Sequence, residues 1–190
     1  MGRSRLAPER EAELCAAVLD LLREVGYDAL TMDAVAARTR SSKATLYRQW
    51  QGKPELVATA LRHSKPVSTA DIDTGSVRGD FAELARRADD GQLAKDAALM
   101  RGLGQAVHGN PDLHRALREV LLDPEVTGLD AMLQRGIDRG EIAADCPALP
   151  FAAHMLIGAL VTRQLIEDRS ADAAFLSAYV DAVVLPALGV

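Results

Sequence analysis

Aromatic side chains are scarce: three Phe, three Tyr and one Trp make up 4% of 190 residues. Strands are built largely from β-branched and aromatic residues, and no window alternates such residues with polar ones. A sheet-based fold is therefore not expected, and the abundance of Ala and Leu favours helices. Cysteine is almost missing as well. Cys15 and Cys146 are too few and too far apart for a disulfide framework or a zinc site, which fits a reducing cytoplasm. Positions 1–10 hold no apolar stretch, so no secretory leader is expected there. The longest apolar run, 149–161, has 13 residues with His154 inside it. A bilayer-crossing helix needs about 20, so no membrane partner is expected.

Catalytic and metal-binding patterns are lacking too. Arg101-Gly102-Leu103-Gly104 has no preceding strand and no further glycine, so it does not make a phosphate-binding loop. There is no Gly-x-Ser-x-Gly. His63, His108, His114 and His154 lack ligand spacing, although His108 and His114 could approach each other across Pro111. No catalytic residue, metal or cofactor is expected. Cys15 reads as a small, partly buried core residue.

Charge is unevenly placed. The net charge of −5 divides into +3 over residues 1–65 and −8 over residues 66–190. Between positions 38 and 53 lie five basic residues (Arg38, Arg40, Lys43, Arg48, Lys53) and no acid. A basic cluster on an acidic chain marks a polyanion-binding face.

That cluster falls on a punctuated stretch at 36–56. A short apolar helix breaks at Arg40-Ser41-Ser42. A second helix starts after Ser42, whose hydroxyl suits the free amides of a first turn, and stops near Gly52. Pro54 suits the first turn of the next helix, where its missing N–H costs nothing. With Leu46 inward at 100° per residue, Trp50 shares its face, Ala44 and Arg48 point away, and Thr45 and Tyr47 flank them. Two short helices joined by a tight turn, the second polar outside, describe a helix-turn-helix sized for the major groove.

Thr31-Met32-Asp33-Ala34-Val35-Ala36, then Ser42-Lys43-Ala44-Thr45-Leu46-Tyr47-Arg48 and Gly52-Lys53-Pro54-Glu55-Leu56, resemble the N-terminal DNA-binding domain of the TetR family of bacterial transcriptional regulators. The resemblance covers residues 9–62. It departs at the turn, where the family has Gly and this chain has Arg40. Arg takes that position with a negative φ or at the cost of strain. The resemblance implies a regulator, most simply a repressor, that binds double-stranded operator DNA with palindromic sequence as a homodimer and answers to a small-molecule effector. By position, Lys43, Ala44 and Thr45 face bases, with the Ala44 methyl suited to a thymine methyl. Ser42, Tyr47, Arg48, Lys53 and Arg40 hold phosphates, which position without specifying. The alternatives are a helical small-molecule-binding protein or enzyme with a vestigial DNA-binding motif, and a regulator that activates.

Along the chain, Arg3 and Arg5 sit in a loose N-terminal arm. A first helix from Pro8-Glu9 carries the stripe Leu14, Val18, Leu21, Leu22 and Val25 and ends at Gly26. Thr31 caps the second helix. The expected organisation is all-α: a helix-turn-helix domain at 1–52, a connecting helix at 53–65 and a helical regulatory and dimerisation domain at 66–190. In the last, residues 65–75 form a linker. Helices follow at 76–89, 93–107, 111–122, 124–139, from Pro147 or Pro150 to 168, and from 171 to 185 or beyond. Phe81, Met100, Leu103, Met132, Phe151 and Met155 are candidate pocket residues. Phe151, Met155, Gly158, Ala159 and Thr162 lie on one strip and are the candidate dimer interface, with Gly158 and Ala159 permitting close approach.

Overall fold

The computed structural model describes residues 7–64, 68–87, 99, 103–104, 106–169 and 171–190. Expectations for Arg3, Arg5, Met100 and most of 88–102 lie outside the described residues. Every regular element among the described residues is helical, and the chain divides into two compact units, 1–65 with 98–123 and 66–97 with 124–190.

The first unit holds α1 (Pro8–Ala29), α2 (Met32–Thr39), α3 (Lys43–Gln49), α4 (Lys53–Ser64) and α6 (Pro111–Leu117). Pro8 opens α1, with Glu9 and Glu11 in its first turn, where carboxylates complement the helix dipole. Gly26 breaks it at φ 74°, a left-handed value that glycine adopts without a Cβ penalty. The stripe of Leu14, Val18, Leu21 and Leu22 is buried, and Cys15 and Leu19 join it. Val25 stays 46% exposed, because the break at Gly26 ends the stripe before that side chain meets a neighbour. Opposite this stripe α4 buries Leu56, Val57, Ala60 and Leu61. Each Leu or Val among them contributes about 1.5–3 kcal/mol when fully buried. Asn110 caps α6 by accepting from the Leu113 amide at 2.9 Å, with Pro111 next. Leu99, Leu103 and Leu113 complete the same core, so part of the segment expected in the regulatory domain packs with the N-terminal helices.

The second unit is built from α5 (Val77–Arg87), α7 (Asp123–Asp138), α8 (Ala152–Glu167), α9 (Ala173–Tyr179) and α10 (Leu185–Leu188). Phe81, Met132, Leu185, Leu188 and Val184 lie at its centre. Gly136 lets α7 close on α5, since a Cβ there would stand 2.3 Å from Val77 Cγ2. The Glu141 carboxylate accepts from the Val77 amide at 2.7 Å.

Pro124 does not start a new helix as expected, and Pro186 shares its setting. Pro124 and Pro186 each stand two residues past a π-helical turn, Arg118–Leu122 and Val180–Val184. A proline has no N–H to donate and its ring crowds the carbonyl four residues back. The wider turn relieves both conflicts, so the chain runs through each proline without leaving helical conformation.

Candidate nucleic-acid interface

Residues 31–56 assemble by local chemistry. Thr31 Oγ1 accepts from the Ala34 amide at 3.1 Å and caps α2. Ser42 Oγ accepts from the Thr45 amide at 3.0 Å and caps α3. Between them Arg40 adopts φ 50°, ψ 38°, the strained option. The Ser41 amide bonds Ala36 O at 3.0 Å and the Arg40 amide bonds Ala37 O at 3.3 Å. This 6→1 and 5→2 pair is the Schellman closure that glycine usually serves. A side chain in that conformation costs roughly 1–2 kcal/mol. Part of the compensation comes from α1: the Arg10 guanidinium donates to the Thr39 carbonyl and reaches Ser41 Oγ at 3.5 Å. Sequence gave no signal for Arg10, which stands 29 positions away.

α3 is pinned by Leu46, fully buried, and by Trp50, 3% exposed just past its end. Its outer side presents Ala44, Tyr47 and Arg48 to solvent, with Thr45 half-buried between. The Thr45 hydroxyl lies 2.9 Å from Ser42 Oγ. Tyr47 is 54% exposed, a large aromatic with no core to fill.

The cationic cluster is less free than its sequence suggests, because the fold brings acids and carbonyls to it. Arg38 grips Glu24 with two hydrogen bonds of 3.0 and 2.6 Å, and this holds the Glu24 carboxyl below its usual range. Lys43 pairs with Asp33. Lys53 Nζ donates to the Tyr27 carbonyl at 2.9 Å and stands 4.2 Å from the centre of that ring. Among the described residues, Arg40 and Arg48 make no ion pair. Tyr27 is buried, and burial first, then Asp28 and Asp112, pushes its hydroxyl up to about 12. Burial likewise pushes the Cys15 thiol up to about 12, so it is an inert core group.

Of the described candidate pocket residues, Phe81, Met132 and Met155 share the core of the second unit, and Leu103 and Phe151 do not join them. Phe81 and Met132 are central core, Leu103 belongs to the other unit, Phe151 is 59% exposed, and Met155 packs half-buried on the core. Helical spacing identifies an apolar face without saying which core it joins. The candidate dimer strip is turned too. Ala159 is buried in its own chain and Met155 leans inward, whereas Phe151, Gly158 and Thr162 reach the surface. The uncovered face of α8 runs through His154, Ile157, Val161 and Leu165, rotated by about 100°, one residue step, from the strip read off the sequence. The segment Leu149–Glu167 spans 19 residues at mean hydropathy 1.4, with only 17% of its most apolar window buried. By length and composition it could cross a bilayer, a longer apolar element than the sequence run suggested. Arg163 lies within it, 7% exposed and paired with Asp172 at 3.0 Å and Glu167 at 3.3 Å.

A chain helical throughout its described elements, with a capped helix-turn-helix whose second helix turns a polar, cationic side outward, is a helix-turn-helix protein built to meet DNA. The family described as "Bacterial regulatory proteins, tetR family" matches residues 14–60, and "Tetracyclin repressor-like, C-terminal domain" matches residues 71–183. An uncharacterised HTH-type transcriptional regulator of Mycobacterium tuberculosis is 36% identical over 94% of this chain and 88% of its own. A DNA-binding transcriptional repressor TetR of Mycobacteroides abscessus is 35% identical over 93% and 92%. A solved TetR family transcription regulator superposes with a TM-score of 0.69 at 27% identity, over 94% of this chain and 98% of its own. The chain belongs to the TetR family of bacterial transcriptional regulators, which are DNA-binding helix-turn-helix proteins.

Proposed function

We propose that this chain is a repressor that binds a palindromic operator as a homodimer in the cytoplasm and is released by a small molecule. The observation that carries the DNA-reading part is the outer side of α3. Ala44, Thr45, Tyr47 and Arg48 are held outward by the Leu46 and Trp50 anchors, and Ser42 fixes the helix start. Lys43, Ala44 and Thr45 read base edges. Arg40, Ser42, Tyr47, Arg48 and Lys53 hold the backbone, with Lys53 using the donors that Tyr27 leaves over.

The homodimer is supported by the bare apolar side of α8. Val161 is 55%, Leu165 75% and Ile166 80% exposed, and exposed large apolar side chains grouped on one helix mark an interaction surface. A two-fold copy placing the same side of α8 against itself covers it. A repressor role is supported by the similar protein of Mycobacteroides abscessus, named a transcriptional repressor. A small effector is supported by the fold shared with a Flavonoid-responsive Regulator, TM-score 0.66 at 20% identity. Such an effector must bind the DNA-free state better, and about 1–3 kcal/mol of coupling gives roughly 5–150-fold relief.

The test is selection of duplexes from a randomised pool, followed by binding at several salt concentrations. An inverted repeat should emerge. If each head neutralises about 3 to 5 phosphates, the slope of log K against log salt should be roughly −5 to −9. A slope near zero, or a selected pool without dyad symmetry, contradicts the reading.

A further inference from the structure

Lys43 is the first residue of α3, where the partial positive charge of the helix N-terminus disfavours a cation. The structure compensates this with one carboxylate. Asp33, in the first turn of α2 where an acid is favoured, takes the Lys43 ammonium. Asp33 and Lys43 side chains are 66% and 56% exposed, so water competes and the pair is readily broken. It stands beside the proposed base-reading side of α3 and not in the core.

We infer that Asp33 is a specificity-determining residue for DNA: it occupies Lys43 until an operator base edge replaces it. The inference rests on the proposed reading that α3 faces the major groove. Binding to random sequence is almost wholly electrostatic. Against random sequence Asp33 therefore subtracts twice, by repelling phosphates and by withholding one cation per head. At the operator, Lys43 exchanges the carboxylate for the O6 and N7 acceptors of a guanine, and the withheld cation is recovered. Asp33 thus weakens random binding more than operator binding and widens their ratio.

The test compares wild type, Asp33→Asn and Asp33→Glu on the duplex selected from a random pool and on a scrambled duplex, at two or more salt concentrations. Asp33→Asn should tighten scrambled binding about three- to tenfold per dimer, while operator binding changes less than about twofold. Its salt slope on scrambled DNA should steepen by about two, one regained phosphate contact per head. Asp33→Glu, which keeps the charge, should resemble wild type. In a Lys43→Gln background the gain should be largely gone. Unchanged scrambled binding, a fall in operator affinity, or a full gain persisting in Lys43→Gln overturns the inference. Wild type that binds neither duplex in a salt-dependent way overturns the underlying docking instead, so the two failures are separable.

Discussion

Lys53 stands over the Tyr27 ring, its ammonium 4.2 Å from the ring centre, and donates to the Tyr27 carbonyl at 2.9 Å. The residue expected to hold a phosphate also joins the start of α4 to the residue just after the break in α1. Both roles predict measurable loss on truncation. Lys53→Ala should lower stability by about 1–2 kcal/mol, from a cation–π contact and a charge-assisted hydrogen bond. It should also weaken operator and random DNA alike and flatten the salt slope by about one per neutralised phosphate lost. Thermal melts and competition binding on one preparation check both. A stability loss with unchanged DNA binding would make Lys53 a structural residue alone.

At Arg40 stability and binding should move in opposite directions. Its φ of 50° is a glycine conformation closing a Schellman turn. Arg40→Gly should stabilise the chain by roughly 1 kcal/mol through relief of the left-handed strain, while removing an unpaired cation from the face. Binding to operator and random duplexes should weaken together, with a shallower salt slope. Urea denaturation at fixed slope reads the first effect. A variant that is both less stable and unchanged on DNA contradicts the assignment.

The helix-turn-helix was legible because its determinants are local. Thr31 and Ser42 cap, Pro54 opens α4, Leu46 and Trp50 share a face, and each acts within four residues of its own position. What was not legible depends on where helices cross. Arg10 reaching Thr39, Glu24 reaching Arg38 and Asp33 reaching Lys43 join separate helices, and no spacing rule predicts such partners. The sorting of Leu103 into one core and Phe81 into another fails for the same reason. Pro124 misled because a proline start signal is identical whether the chain breaks before it or widens into a π turn. The exposed apolar side of α8 lies about one residue step from the strip read off the sequence, since apolar residues occur on most of the helix and leave periodicity little to choose between.

Gly158 and Ala159 are adjacent and offer a clean contrast. A Cβ built at Gly158 meets nothing within 4 Å, whereas Ala159 is 6% exposed. Gly158→Glu should therefore fold, yield a monomer in light scattering, and lose operator binding. Ala159→Glu should instead unfold, because an unpaired charge in an apolar core is expensive. A Gly158→Glu dimer of unchanged mass would place the interface elsewhere.

Asp172 caps α9, accepting from the Phe175 amide at 2.7 Å, and pairs with Arg163 at 3.0 Å. The amide first, then the guanidinium, holds its carboxyl below its usual value near 3.8. A depressed folded value means the contribution is present above the unfolded value and is lost as pH falls through the folded one. Asp172→Asn should thus cost least in strong acid and most at neutral pH, and Asp172→Ala should cost about 1 kcal/mol at pH 7 through loss of the cap. Melting temperatures of the variants between pH 2 and pH 7, on the order of the carboxylate range, test the sign.

Thr45 and Tyr47 separate reading from positioning on α3. Thr45 is half-buried on the side of α3 proposed to face the groove, with its hydroxyl 2.9 Å from Ser42 Oγ, so its methyl and hydroxyl are short and held near one orientation. A fixed short side chain suits a base edge. Tyr47 is 54% exposed on the flank, and its hydroxyl ends a rigid ring directed outward, which suits the proposed backbone contact. Tyr47→Phe should weaken operator and scrambled duplexes to the same degree, because a phosphate contact carries no sequence information. Thr45→Ala should leave scrambled binding nearly unchanged and erode the operator-to-random ratio by about 1–3 kcal/mol per half-site. Stability has to be followed alongside, since Ser42 remains the cap in Thr45→Ala and α3 should persist. Competition binding at two salt concentrations decides. If Thr45→Ala lowers both affinities equally while Tyr47→Phe changes only the ratio, the roles are exchanged and α3 enters the groove rotated about its axis from the orientation argued here.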